Sequence, residues 1–496
     1  MKRNILSLII FGLVFAVAGC NDSDSVSNNG TPTPTPNPAP TPNPAPEPNP
    51  APAPIPGKNV LFFLGDGMGI ATLTAARIYS VGEEGNLTID TLPETAFVHT
   101  YSNDAQVTDS APSMAAYMTG VKANNEVLSM SPDTKATNPQ GKAYHVNFDS
   151  ICPPDNGHAV ETLLEQMKAA NYSTGIVTTT RITHATPAAT YAHVCHRDAE
   201  NTIAAALVPG GAGFNSKLGD GIDVILGGGA NYFTAKTAGG TRSDQRNLIA
   251  ELQAANYHYA ANKQQFDQLP IDGSKLVGLF TPNHMSYDLD RDPEQEPSLA
   301  EMTSKAIDAL AAKEKGFFLM VEGGRIDHAL HATNARRALQ DTVAFDDAIK
   351  VALEKMQAID PELKNTLIVV TADHDHTLQM NGYAQRTGKT EAGNPGVLGV
   401  VKNYVNGTGS TDVDGNPYTI IGFGNGPAHK ATRGPIDDSD LESADFLQES
   451  VIPLNTETHG GGDVFLTAQG LGAEQFTGTL NNDRVFSLIK QAIDLQ

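Results

Sequence analysis

Acids, histidines and one serine recur in this chain at spacings that suit cation and anion chemistry. In Leu64-Gly65-Asp66-Gly67-Met68-Gly69, glycines surround one carboxylate at the end of an apolar run. Alone this is a turn; beside the other stretches, the glycines let the backbone crowd a cation held by Asp66. In Glu322-Gly-Gly-Arg-Ile-Asp327-His328-Ala-Leu-His331, Asp327 and His331 stand four apart, so a helix would present both on one face to a single cation. Asp373-His374 ends a further apolar run, and His459 precedes three glycines. Thr108-Asp109-Ser110-Ala111-Pro112 leads into an apolar helical pattern. Asp109 or Ser110 could serve as a helix cap. A helix N-terminus also attracts anions, and a serine there beside metal ions would have its alkoxide stabilised for attack on phosphorus. Between Thr178 and Arg197, His184 and Thr186 suit a harder cation, and Arg197 offers a planar fork for two phosphate oxygens.

These residues sit at the ends of short apolar runs: Asn59–Gly65, Gly175–Thr180, Gly316–Val321 and Thr366–Thr371. Such runs, rich in β-branched residues and without alternation, predict strands buried on both faces. Helical patterns lie between them, at Ala159–Ala170, Ser298–Lys313 and Ala332–Gln357. The expected fold is α/β, a central and mainly parallel sheet flanked by helices on both faces. Ligands bind such sheets at the carboxyl ends of the strands, where the acids and histidines fall. The chain has 496 residues, with 33 Lys+Arg against 56 Asp+Glu, a net charge of −23. Without a basic block to meet a phosphate backbone, nucleic acid is excluded as a partner.

Lys2 and Arg3, the apolar stretch 5–19 and the sequence Val17-Ala18-Gly19-Cys20 have the form of a signal peptide over residues 1–20. Its end resembles the bacterial lipoprotein box, which implies cleavage before Cys20 and its lipidation. From Thr31 to Pro56 every second residue is proline. That composition cannot pack a core and is expected to be a disordered linker over 21–56, its proline run extended at ~3.1 Å per residue. Cys152 and Cys195 lie in the body, where they could pair or remain thiols.

The ordered set GDGMG, TDSA, HATPAATYAH with Arg197, EGGRIDHALH, TADH and THGGG resembles the alkaline phosphatase family. Several stretches are closer to the animal-type enzymes than to the enteric bacterial type. The resemblance covers most of residues 57–496 and implies hydrolysis of small phosphate monoesters through a phosphoserine on Ser110, with Arg197 on the phosphate and Asp109 beside the nucleophile. It implies one zinc on Asp327, His331 and His459, a second on Asp66, Asp373 and His374 that also meets Ser110, and a magnesium on Asp66, Thr186 and Glu322. His184 and His328 match positions next to the metals that vary between branches. A homodimer is expected from the family, with a lipid anchor at Cys20 on the periplasmic or outer-membrane face of a bacterial envelope. The animal enzymes' fourth, calcium-like site is not expected: Glu296 matches one of its acids, but Thr281 replaces another. Residues 401–445 look like a surface insertion that caps the site or builds the dimer contact. A phosphodiesterase of the same superfamily is the alternative. A sulfatase is excluded, since the arginine its motif needs is Met114 here.

Overall fold

The computed structural model describes residues 57–436 and 438–496. The signal peptide, Cys20 and the proline-rich stretch fall outside the described residues.

Ten strands build one sheet. In chain order they are β1 (Asn59–Gly65), β2 (Glu94–His99), β3 (Ser173–Arg181), β4 (Val224–Gly228) and β5 (Tyr257–Ala260). The remaining five are β6 (Lys275–Leu279), β7 (Phe317–Gly323), β8 (Thr366–Ala372), β9 (Val464–Gly470) and β10 (Gly478–Asn481). Their spatial order is β10-β2-β9-β8-β1-β7-β3-β4-β6-β5. The run from β8 to β5 is parallel, and β9 is antiparallel to both of its neighbours, β8 and β2. Every residue of β1, β7 and β8 is buried, as continuous apolar runs require of a sheet covered on both sides.

The helices that matter to the site are α1 (Ile70–Val81), α2 (Ser110–Thr119), α3 (Leu163–Ala169), α4 (Leu299–Ala311), α5 (Arg325–His331), α6 (Ala335–Ile359) and α7 (Asn482–Ala492). They pack in two groups, α6 against α1, α4 and α5, and α2 against α7 and α3. Helix α3 starts four residues later than expected because Thr162 caps it, its hydroxyl accepting from Glu165 N–H while Glu165 accepts from Thr162 N–H. Helix α6 starts three residues late for a similar reason, with Asn334 accepting from Arg337 N–H. Within 401–445, Ile421–Gly426 pairs with Leu378–Met380 and with Ser450–Pro453 in a small three-stranded sheet. Cys152 and Cys195 form a disulfide.

Candidate active site

Strand register brings the acids together. Gly65 pairs with Ala372 and Leu64 with Glu322, so Asp66 and Asp373, each one residue past its strand, lie beside Glu322. Helix α5 starts two residues after β7 and carries Asp327 and His331 to the same edge. The turn after β1 depends on Gly67, whose φ of +67° suits glycine and whose N–H donates to Asp373 Oδ1 at 2.9 Å. A Cβ there would stand 2.5 Å from the His376 ring.

Ser110 opens α2 behind its N-cap Asp109, which accepts from Ala111 N–H at 2.8 Å. Its Oγ lies 3.3 Å from both Asp66 Oδ1 and His374 Nε2. Arg197 Nη1 donates to Asp109 Oδ1 at 3.0 Å, and its other arm reaches His184 Nε2 at the same distance. Asp66, Asp327 and His374 offer donor atoms within 4.8 Å of one another, as do Asp327, His331 and His459 with His376. Asp66 and Glu322 form a third group with His184, and Thr186 lies beside Glu322.

The electrostatics of this knot describe a site built for cations. Burial, followed by the charges of Asp373, Asp327 and Glu322, pushes the Asp66 carboxyl well above the usual range. Burial also raises Asp373, and lifts Glu322 to about 7 although Thr178 and Thr180 donate to it. Asp327 moves the other way: burial opposes ionisation, but His331, His376 and His459 hold it well below the usual range. Asp66 Oδ2, Asp373 Oδ2 and Glu322 Oε1 are buried without a donor among the described residues. Buried oxygens are rarely left so.

The histidines are set for ligation. His459 Nδ1 meets Thr108 O at 2.8 Å, His331 Nδ1 meets Glu457 O at 2.5 Å and His374 Nδ1 meets Asp375 O at 3.2 Å. A carbonyl accepts, so each Nδ1 carries a proton and each Nε2 faces inward, where a cation could take the place of any proton it holds, the arrangement that orients metal-binding imidazoles. The donor set fits divalent cations.

All nine residues expected to meet metals fall in this one region, together with Asp109, Arg197 and His184. His328 stands slightly apart, its ring 5.3 Å from that of His184, and Arg325 donates to its Nδ1 at 2.9 Å. At the position of the animal enzymes' fourth site, Glu296 is taken up by Ser286 N–H and Oγ, and Thr281 Oγ1 donates to Asn283 O. Sequence reasoning missed His376 and Glu457. His376 Nε2 lies 2.8 Å from Asp327 Oδ1 and its Nδ1 2.5 Å from Glu457 Oε2, and those carboxylates push its pKa up to about 10 against the effect of burial. The signal was the second histidine of Asp373-His374-Asp375-His376.

A serine at a helix N-terminus, an arginine fork and buried carboxylate–imidazole clusters at the carboxyl edge of a parallel sheet define a metal-dependent hydrolase of the α/β class. The alkaline phosphatase family model matches residues 57–495. An alkaline phosphatase of Gadus morhua is 38% identical over 445 residues, covering 83% of this chain and 87% of that protein. The tissue-nonspecific isozyme of Homo sapiens is also 38% identical, over 83% of this chain and 79% of its own. Among solved structures, the alkaline phosphatase of Thermus thermophilus superposes with a TM-score of 0.62 at 23% identity, over 90% of this chain and 93% of its own. That of the Antarctic bacterium TAB5 gives 0.60 at 23% identity, over 89% and 99%. The chain belongs to the alkaline phosphatase family, and its reaction is the metal-dependent hydrolysis of phosphate monoesters.

Proposed function

We propose that Ser110 is the nucleophile, Arg197 the phosphate clamp, and the surrounding donors the seats of two zinc ions and one magnesium. Asp327, His331 and His459 would hold one zinc, Asp66, Asp373 and His374 the other, and Asp66, Thr186 and Glu322 the magnesium. The observation that supports this most directly is the convergence of buried carboxylates with unpaired oxygens within reach of Ser110 Oγ. Bound there, divalent cations lower the pKa of a hydroxyl or water and offset charge on the phosphoryl and leaving oxygens.

Ser110 gives up its proton to solvent and its Oγ bonds to phosphorus as the bond from phosphorus to the ester oxygen breaks, and the departing alkoxide takes up a proton and leaves as the alcohol. Asp109 keeps Arg197 extended, so the two guanidinium arms face two equatorial phosphoryl oxygens and hold the transferring group in line. Water then attacks phosphorus, Ser110 Oγ departs and is reprotonated, and inorganic phosphate is released. Arg197 with the cations supplies the local positive charge that a chain of net charge −23 lacks.

The same reading extends to the whole chain: a bacterial lipoprotein exported by residues 1–20, anchored through Cys20 on one face of the envelope, and acting as a homodimer. Its motif composition supports the export, and its family supports the dimer. Cys20→Ser should move activity from the membrane fraction to the soluble one.

The decisive test compares a phosphate monoester with a matched diester on the purified full chain, before and after chelation and in Ser110→Ala. Strong monoester preference is expected, with activity lost on chelation, restored by zinc plus magnesium, and reduced by about four orders of magnitude or more in Ser110→Ala. Equal or better diester turnover would overturn the substrate assignment, and a fully active Ser110→Ala would overturn the nucleophile.

A further inference from the structure

Next to this site lies a second group of ligating side chains that the phosphatase reaction does not use. We infer that His145, His196 and Asp198 form a binding site for a further divalent transition-metal ion, zinc being the natural probe. His196 and Asp198 flank Arg197 in sequence, while His145 comes from a separate hairpin in which His145–Val146 pairs with Asp149–Ser150. Two ties hold these segments together: the Cys152–Cys195 disulfide and the 2.9 Å bond from Asn201 N–H to Phe148 O.

The donor atoms of the three residues lie within 4.8 Å of one another. His145 Nε2 is 3.6 Å and His196 Nδ1 3.9 Å from the same oxygen, Asp198 Oδ2. Those separations are too long for hydrogen bonds. They approach the ~3.3 Å between neighbouring ligands on a tetrahedral ion with bonds of ~2.0–2.1 Å. Neither ring nitrogen of His145 has a hydrogen-bond partner among the described residues, and its Nδ1 is buried. The His145 side chain is about a quarter exposed, and the nitrogen it turns toward Asp198 is Nε2.

His196 supplies the second imidazole. It is buried, and its Nδ1 accepts from Asp198 N–H at 3.2 Å. Accepting places the lone pair on Nδ1 and the proton on Nε2; one lone pair serves one partner, so an ion bound at Nδ1 replaces this long bond to the Asp198 N–H. Two imidazoles and one carboxylate favour zinc, cobalt, nickel or copper over magnesium or calcium, whose preferred ligands are oxygens. Asp198 is more than half exposed, which leaves a fourth position open to water or a small anion. This group shares no residue with the donors around Ser110, nor with Thr281 and Glu296.

The test uses the full chain saturated with zinc and magnesium. Diffraction at the zinc absorption edge should place an anomalous peak among His145, His196 and Asp198, beyond those around Ser110. Plasma mass spectrometry should find one zinc fewer per chain in His145→Ala, with its thermal unfolding still cooperative. In zinc titrations the same variant should weaken this class of site by more than about tenfold. Peaks confined to the Ser110 region, or equal zinc content in parent and variant, would overturn the inference, and so would a site that fills with calcium but not zinc. If His145→Ala fails to fold, the anomalous map of the parent chain decides alone.

Discussion

Arg197 is worth more as a fork than as a charge. Asp109 and His184 each engage one of its arms, which fixes the plane of the guanidinium before substrate arrives. Lysine would keep the charge and lose the paired geometry. Arg197→Lys should therefore raise KM by about tenfold, the equivalent of one lost charge-assisted hydrogen bond, and change kcat less. Inhibition by inorganic phosphate should weaken in parallel, since product and substrate present the same oxygens. His376 acts through Asp327, holding one carboxylate oxygen while Glu457 holds His376 from behind. Removing such a support costs about 10- to 100-fold in metal affinity. His376→Ala should lose zinc to a chelator sooner than the parent and regain activity at high zinc. A variant that stayed inactive at saturating zinc would show that His376 serves the reaction some other way.

Where β1 gives way to α1, the chain bends around Gly67 so tightly that any side chain would meet His376. Gly67→Ala combines a positive φ with that clash and should lower stability by about 1–3 kcal/mol while disturbing Asp327 through His376, read as a lower Tm together with weaker zinc retention. The start of α3 carries a different device. Glu165 completes the capping box and also lies 2.9 Å from His193 Nε2 and 2.6 Å from Asn215 Nδ2. Burial opposes both charges, yet the pairing raises His193 above 6.5 and lowers Glu165 below 4.5. The Glu165 contribution is present above its unfolded pKa and lost on acidification through the lowered folded value. That of His193 is full below 6.5 and fades as pH rises through its raised folded value. Urea unfolding should thus show a stability component that declines on the alkaline side of 6.5 in the parent and is absent in Glu165→Gln. The strands that carry the site were legible in the sequence because a short, unbroken apolar run that stops at an acid suits a strand buried on both faces and little else; Asn59–Gly65 matches to the residue. Helix starts were less legible, since they turn on whether a Thr162 or Asn334 side chain folds back onto the backbone. The ligand candidates could be read because they cluster in short motifs. Glu457 and His145 could not, and the motif of His376 did not reveal its role, because these roles come from partners 49 to 81 residues away or from a hairpin stapled by a disulfide.

The knot of charge at the carboxyl edge ties the stability of the whole fold to its cations. Asp66 follows β1, Glu322 lies on β7, Asp327 on α5, and Asp373 follows β8, so repulsion among them acts on the centre of the sheet. Ions present at about 1,000 times their Kd would each add ~4 kcal/mol. Chelation should therefore lower Tm by on the order of 10 °C, and zinc plus magnesium should restore it. The pH dependence should also change. Without cations, Glu322 is pushed up to about 7 in the folded chain against 4.5 unfolded, and burial with the neighbouring carboxylates raises Asp66 well above its own ordinary value. Between those limits these two carboxyls bind more protons in the folded chain than in the unfolded one, so their contribution to stability falls as pH rises. With cations bound the ligating carboxylates stay ionised and protons compete with the metals, so stability rises with pH over the same window. Calorimetry from pH 5 to 8 should show Tm rising more steeply with pH in the metal-loaded protein than in the chelated one. Parallel slopes would mean that the cations do not sit on these carboxylates.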